Sequence, residues 1–289
     1  MEDNIVSTRE IQLKALEILK EFQRICEKYN LLYYAIGGTC IGAIRHHGFI
    51  PWDDDIDVAM PYEDYKMFIE ASAKELTGSY SIIGPNNCKH YTMIYIKMQD
   101  ESTCFVEQTV KKYEDRYCGV YIDIFPIFGL PQLDKQRNKL RNRNENIKRL
   151  NIRRRFPLSD ERSFSGKIFW LINSPKKLFV KFDYYTQLQE RILSAFPLNQ
   201  SDMIFFPWRM KPEKDKRGCY KDIFYYDDFK SAVKVEFEDG YINVPVGYER
   251  YLRMDFGDYM KLPPKEKQVA MHPSALIDLN KSYKEFIGK

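Results

Sequence analysis

Apolar residues recur at helical spacing near the start of the chain. Ile11, Ala15, Ile18, Leu19, Phe22, Ile25 and Tyr29 follow Ser7-Thr8-Arg9-Glu10, which has the order of a capping box. The pattern predicts an amphipathic helix over residues 8–29 that stops at Asn30. Leu32 to Ile36 then reads as a short buried strand, Gly37-Gly38 as a tight break, and residues 39–46 as a short helix. After Pro51 and Trp52 comes Asp53-Asp54-Asp55-Ile56-Asp57-Val58-Ala59-Met60. There Ile56 and Val58 alternate with Asp55 and Asp57 as strand residues do, which places both carboxylates on one face. Pro61 suits the first position of a helix reaching to about residue 76. Further strands are expected over 80–83, 91–98, 103–106 and 119–125.

The texture changes beyond Pro131. Residues 135–155 hold ten Lys or Arg against one acid, Glu145, and this stretch reads as a basic helical region. Two apolar-aromatic stretches follow, Ile168 to Ile172 and Leu178 to Val180 with Phe182, interleaved with Lys167, Lys176, Lys177 and Lys181. They are too short to span a bilayer and suit helices lying on a surface. Val233 to Phe237, Asp239-Gly240 and Tyr241 to Val244 predict a hairpin, followed by a helix over 248–254. The expectation is an α+β fold in three regions: a core over 1–131, a basic helical region over 132–220, and a C-terminal hairpin-and-helix region over 221–289 that packs back on the core.

Composition narrows the function classes. The 289 residues carry a net charge of only +4, which excludes a general nucleic-acid coat, and no nucleic-acid partner is expected. Removing the +9 of residues 135–155 leaves the rest of the chain at −5, so the balance is a cancellation between regions. Cys26, Cys40, Cys88, Cys104, Cys118 and Cys219 form no C-x-x-C pair, which fits reduced core thiols and gives no zinc ribbon. Met1-Glu2-Asp3-Asn4 lacks the basic and apolar regions of a secretory signal, so a cytoplasmic protein is expected.

The acidic cluster is the sharpest chemical signal. Carboxylates on alternate strand positions repel one another unless a cation lies between them, and such hard oxygen donors favour Mg²⁺ or Mn²⁺. Asp123 stands in Val120-Tyr121-Ile122-Asp123-Ile124-Phe125-Pro126, an otherwise apolar strand where an unpaired charge would be costly. Gly37-Gly38-Thr39 opens a helix after a strand and can present backbone N–H groups to a phosphate, with Arg45, His46 and Lys97 as nearby cations. His46 and His47 read as helix-end or packing residues.

In this order the elements resemble the nucleotidyltransferase fold, a mixed β-sheet core flanked by helices. The run Gly37-Gly38-Thr39-Cys40-Ile41-Gly42-Ala43-Ile44-Arg45-His46-His47-Gly48-Phe49-Ile50-Pro51-Trp52-Asp53-Asp54-Asp55-Ile56-Asp57 is more specific and resembles the signature of the LicD family of phosphocholine transferases. Asp123-Ile124-Phe125-Pro126 and Phe256-Gly257-Asp258-Tyr259-Met260-Lys261-Leu262-Pro263-Pro264 resemble later motifs of that family, while residues 135–220 match it least. The resemblance implies transfer of phosphocholine from CDP-choline, or another phospho-alcohol from its CDP donor, to a hydroxyl of a lipid-linked surface-glycan precursor with release of CMP. The glycan could be of teichoic-acid, lipopolysaccharide or capsule type. It implies Asp55 and Asp57 as metal ligands and Asp123 as base or third ligand. Gly37, Gly38, Thr39, Arg45 and Lys97 would contact phosphate, with Asp53 and Asp54 orienting the donor.

A quaternary ammonium is best held by aromatic faces, for which Trp52, Tyr33, Tyr34, Tyr91, Tyr95, Tyr121 and the Tyr225-Tyr226 pair are candidates. The basic segment, with the stretches up to residue 182, would hold the protein peripherally on the anionic inner face of the cell membrane. Transfer of ribitol- or glycerol-phosphate, true nucleotidyl transfer with release of diphosphate, and non-catalytic membrane or glycan binding are the alternatives.

Overall fold

The computed structural model describes residues 6–156, 168, 181, 183–207, 223–270 and 272–288. Helix α1 (Thr8–Tyr29) starts at the capping box: the Ser7 hydroxyl accepts the Glu10 N–H, and the Glu10 carboxylate accepts the Ser7 N–H at 2.8 Å. Such a cap contributes about 1 kcal/mol. The helix stops where Asn30 takes a left-handed φ of 52°. Its buried stripe of Ile11, Ala15, Leu16, Ile18, Leu19, Phe22 and Ile25 lies against the sheet core, and each large side chain gains roughly 1.5–3 kcal/mol on burial.

The chain then runs through β1 (Tyr34–Ala35), α2 (Gly37–His46), β2 (Asp57–Pro61), α3 (Tyr62–Glu75), β3 (Tyr80–Ile83), β4 (Ile96–Asp100), β5 (Cys104–Glu107) and β6 (Tyr121–Gly129). After β6 come α4 (Asp134–Arg155), α5 (Tyr184–Leu193), β7 (Met203–Phe205), β8 (Ile223–Tyr225), β9 (Ala232–Phe237), β10 (Gly240–Pro245), α6 (Tyr248–Phe256) and β11 (Ser274–Asp278).

The main sheet is mixed and curled, in the order β1-β2-β6-β4-β3, with β2 and β6 parallel and the other pairs along that path antiparallel. All nine residues of β6 are buried, because the strand is paired on both edges and covered on both faces. Its last two residues, Phe128 and Gly129, pair with β7, and β7 pairs with β8, which carries the sheet around its corner. Hairpin β9–β10 and the pair β5–β11 stand beside it. One large core joins α1, β1, β2, β4 and β6 to Phe206, Phe229, Phe237, Ile242, Tyr251, Leu252 and Tyr259. A smaller one, built on Phe128, Leu140, Ile147, Leu193 and Phe205, holds α4 and α5 together.

Several boundaries differ from those the pattern predicts. The first strand shortens to two residues, and α2 starts at Gly37 itself, because Gly37 adopts a φ of 57° that brings the chain directly into the first turn. Strand β2 begins at Asp57, so Asp55 sits in the preceding loop and does not share a strand face with Asp57. Asp57 is the first residue of β2 in register with β6, whereas the chain before it turns at Pro51-Trp52, where the Asp53 N–H meets the Ile50 carbonyl at 2.9 Å. Strand β4 starts at Ile96 and not at residue 91, since Tyr91 follows a loop closed by Cys88 N–H on Gly84 O. The hairpin turn is Glu238-Asp239, one residue earlier than expected. Glu238 accepts the left-handed φ of 55° because its carboxylate is tied to Arg9 and to the Phe49 N–H. Strands β7, β8 and β11 carry no strong alternation and were not anticipated by the pattern.

Cys26, Cys40, Cys88, Cys104 and Cys118 are buried free thiols, as their spacing predicts. Among the described residues no helix is long and apolar enough to cross a membrane. The apolar-aromatic stretches between 168 and 182, Ile168 apart, and Cys219 lie outside the described residues.

Candidate active site

The sheet register assembles the site. Asp57 on β2 stands opposite Asp123 on β6, and Lys97 on β4 stands opposite Asp123 from the other side. Laterally paired residues point to the same face, so Asp57, Asp123 and Lys97 form one row across three strands. Asp123 and Lys97 are buried, with 6% and 5% of their surface exposed. Nζ of Lys97 lies 3.2 Å from Asp123 Oδ1 and 3.4 Å from Glu107 Oε1, over the ring of Tyr121, whose hydroxyl donates to Glu107 Oε1 at 2.8 Å.

Helix α2 delivers its N-terminus to this row. The Asp57 N–H donates to the Thr39 hydroxyl at 2.8 Å, and the Gly37 N–H donates to the Tyr251 hydroxyl at 2.9 Å. The Asp53 carboxylate packs against Gly38 so closely that a Cβ there would collide with its Oδ2, and a Cβ on Gly37 would stand 3.3 Å from Asp57 Oδ2. Bare backbone is what lets both carboxylates approach the helix end. The first-turn N–H groups of Gly38 and Thr39 have no intrahelical carbonyl behind them, which makes that end favourable for anions.

The electrostatics of the cluster are unbalanced. Burial, reinforced by Asp55 and Asp54, pushes the Asp53 carboxyl up to about 8. Burial together with Asp55 and Asp123 holds Asp57 well above the usual carboxylate range. Asp55 is raised by burial and restrained by His272, and Asp123 is raised by burial to about 6 and restrained by Lys97. Burial opposes the Lys97 charge, but Asp123 and Glu107 outweigh it and keep the ammonium above its usual range.

The donor set suits a hard divalent cation: it is carboxylate oxygen, more of it than Lys97 and His272 balance, and Asp123 Oδ1 is buried without a well-formed hydrogen bond. Among the described residues, ligand atoms of Asp54, Asp55 and His272 lie within 4.8 Å of one another. His272 Nδ1 is 3.1 Å from Asp54 Oδ1 and 3.6 Å from Asp55 Oδ2.

The structure thus brings together Gly37, Gly38, Thr39, Asp53, Asp54, Asp55, Asp57, Lys97 and Asp123. Arg45 is elsewhere, about 12 Å along α2 from Gly37. Its guanidinium donates to the Tyr259 carbonyl at 2.5 Å and to His46 Nε2 at 2.9 Å, anchoring the Phe256–Pro264 motif to the helix end. Trp52 is half-buried beside His46, in the turn that leads to Asp53. Of the aromatic candidates, Tyr33, Tyr34, Tyr91 and Tyr121 are buried in the core, and Tyr225 carries the Arg250 guanidinium on its face. Tyr95 is half-buried and feels Asp123 and Asp57, which add to burial in raising its hydroxyl.

Sequence reading missed Glu107, Tyr251 and His272. A lone acid at a strand end, a tyrosine in an amphipathic helix and a single histidine before Pro273 carry no local motif, so only the fold reveals them.

Comparison with known proteins decides the family. A protein of Haemophilus influenzae named lipopolysaccharide cholinephosphotransferase LicD is 30% identical over 275 residues, covering 92% of this chain and 96% of its own. The chain belongs to the LicD family. The profile described as LicD/FKTN/FKRP, nucleotidyltransferase domain, matches residues 30–170, the stretch holding α2, the acidic row and α4. An uncharacterized protein of Rickettsia typhi is 38% identical over 114 residues, 39% of this chain and 34% of its own. One of Caenorhabditis elegans is 36% identical over 70, which is 24% of this chain and 18% of its own.

Proposed function

We propose that this LicD-family protein transfers phosphocholine from CDP-choline to a sugar hydroxyl of a lipid-linked, lipopolysaccharide-type glycan precursor and releases CMP. The observation that carries the reading is the near full-length similarity to a lipopolysaccharide cholinephosphotransferase, in a chain whose acidic row lies at the N-terminus of α2. Asp55, Asp57 and Asp123 Oδ1 would hold Mg²⁺ or Mn²⁺, which when bound neutralises the diphosphate and the leaving CMP. Asp123 Oδ1 is buried and, apart from its ion pair with Lys97, has no well-formed hydrogen bond, which supports the ligand role of Asp123 over that of base. Gly38 and Thr39 N–H groups supply donors to a phosphate oxygen, and Lys97 fixes Asp123 in place. The hydroxyl oxygen attacks the choline-bearing phosphorus, the bond from that phosphorus to CMP breaks, and the hydroxyl proton passes to a base.

The choline ammonium stands four covalent bonds from its phosphorus, so its aromatic contacts must lie beside the row. An aromatic cavity of about 270 Å³ lined by Tyr34, Tyr62, Phe128 and Phe229 opens at Pro61 and Ile127. That is four strand residues, about 13 Å, from Asp57 and Asp123, too far to serve. Tyr95, which feels Asp123 and Asp57, is the candidate ring that fits. ³¹P NMR of CDP-choline with Mg²⁺ and a lipopolysaccharide acceptor tests the reading: CMP and a phosphodiester support it, whereas diphosphate or an unchanged donor contradicts it.

We also propose that α4 places the enzyme on an anionic membrane face, where a lipid-linked acceptor resides. Lys135, Lys139, Arg143 and Arg149 are exposed on this helix, and each basic residue close to an anionic surface contributes on the order of 1 kcal/mol. Salt-sensitive co-sedimentation with vesicles containing phosphatidylglycerol is expected. Binding that ignores salt or lipid charge contradicts this placement.

A further inference from the structure

The two-stranded pair β5–β11 lies apart from the main sheet, yet it sends one side chain to the Lys97 end of the acidic row and another to the acidic loop that leads into Asp57. From β5, Glu107 reaches Lys97 and Tyr121; just before β11, His272 reaches Asp54 and Asp55. The two strands pair with Ser274 opposite Glu107 and Asp278 opposite Cys104, across a bulge between Ser274 and Leu276, and the Gln108 N–H donates to the Pro273 carbonyl at 2.9 Å. Tyr283 N–H on the Thr103 carbonyl and Lys284 on Glu101 continue the seam toward the C-terminus. The backbone that follows His272 and the strand that carries Glu107 are therefore held together beside the row.

When Asp54 is ionised it can only accept, so the hydrogen between it and His272 then sits on Nδ1, and in that tautomer Nδ1 orients the carboxylate and is not itself a metal ligand. At the other end, Glu107 shares the Lys97 ammonium with Asp123 and keeps Lys97 from neutralising Asp123 alone. We propose that the β5–β11 pair is a clamp whose two positioning residues, His272 and Glu107, set the affinity of the acidic row for a divalent cation: His272 by orienting Asp54 and Asp55, Glu107 by drawing Lys97 off Asp123.

This inference rests on the reading of the acidic row as a cation site, and the test separates the two. Free Mn²⁺ is titrated with the full-length protein and followed by its electron paramagnetic resonance signal, with thermal unfolding of each metal-free variant alongside. Wild type binds. His272→Ala weakens Mn²⁺ roughly 10- to 100-fold, the range for loss of an outer hydrogen bond to a ligand. His272→Asn, whose amide N–H stands where Nδ1–H stood, restores most of the affinity, and His272→Gln does not. Glu107→Gln weakens Mn²⁺ while leaving an acceptor for Tyr121. A merely structural anchor would lower the unfolding temperature of all His272 variants alike without separating Asn from Gln in affinity. Wild-type affinity in both His272→Ala and Glu107→Gln overturns the clamp alone, and a wild type that leaves Mn²⁺ free overturns the cation site and the clamp together.

Discussion

The acidic row and helix α4 are both dense runs of like charge, and they solve opposite problems. In the row, Asp123 is buried and Asp57 is half-buried within hydrogen-bonded sheet, so water cannot screen the repulsion and the carboxyls are driven upward. On α4, Lys135, Lys139, Arg143 and Arg149 stand in solvent, where like charges a turn apart cost a few tenths of a kcal/mol. Charge density in a sequence therefore says little until burial is known. A buried run demands a counter-ion, while an exposed run is free to meet a partner.

Helix α4 also contains the exception that sharpens the contrast. Arg155 is 2% exposed, and all five of its N–H donors are satisfied by neutral acceptors: Asn151 Oδ1, the carbonyls of Pro85, Cys88 and Lys89, and the Thr186 hydroxyl. It ties α4 to the loop before β4 and to α5, and burial lowers it to about 10. Arg141 is buried as well, so the surface charge of α4 is smaller than the sequence count implies.

The largest effect is expected in the row. Asp57→Asn should reduce CMP release from CDP-choline at least a thousandfold, about 4 kcal/mol, and leave the metal-free protein no less stable, because it removes a repelling carboxyl. Calorimetric unfolding without metal checks the second half, and a large loss of stability would mean that the row is a structural network. Next comes Arg155→Leu, which strands three carbonyls and should cost about 3 kcal/mol in urea unfolding, with the fold of the row retained.

Glu190 on α5 gives an intermediate case away from the row. Burial raises it to about 7, against the partial relief of Lys66. A carboxyl raised on folding binds more protons in the native state, so its contribution falls as pH rises from about 4.5 through 7. Glu190→Gln should therefore gain on wild type by on the order of 2 kcal/mol between pH 5 and pH 8. A constant difference across that range would mean that the fold does not raise Glu190. The smallest effect belongs to the exposed helix: Lys139→Ala and Arg143→Ala should change stability by less than about 0.5 kcal/mol while weakening vesicle binding in low salt.

Much of the row was legible before the fold. Asp-x-Asp after a Gly-Gly-Thr turn, and an aspartate inside an apolar strand, carry local patterns that point to chemistry. Asp55 was misplaced by two residues because Ile56 and Val58 alternate with the acids whether or not the strand has yet begun; only the pairing of Asp57 with Asp123 fixes its start. Arg45 looked like a phosphate contact because it follows the turn closely in sequence, but the length of α2 carries it to the carbonyls of Tyr259 and Lys261. His272 and Glu107 were invisible because their meaning comes from β5–β11, a pairing across more than 160 residues that no local pattern announces.

The central claim is that the buried carboxylates hold a divalent cation for a CDP-choline donor. Its most direct test is the unfolding temperature of wild type and Asp57→Asn with CDP-choline, Mg²⁺, both or neither, since a ligand of the native state alone raises stability by mass action. The account expects wild type to rise most with both ligands together, and Asp57→Asn to lose that joint increment. A joint increment of equal size in Asp57→Asn, or none in wild type, would contradict it.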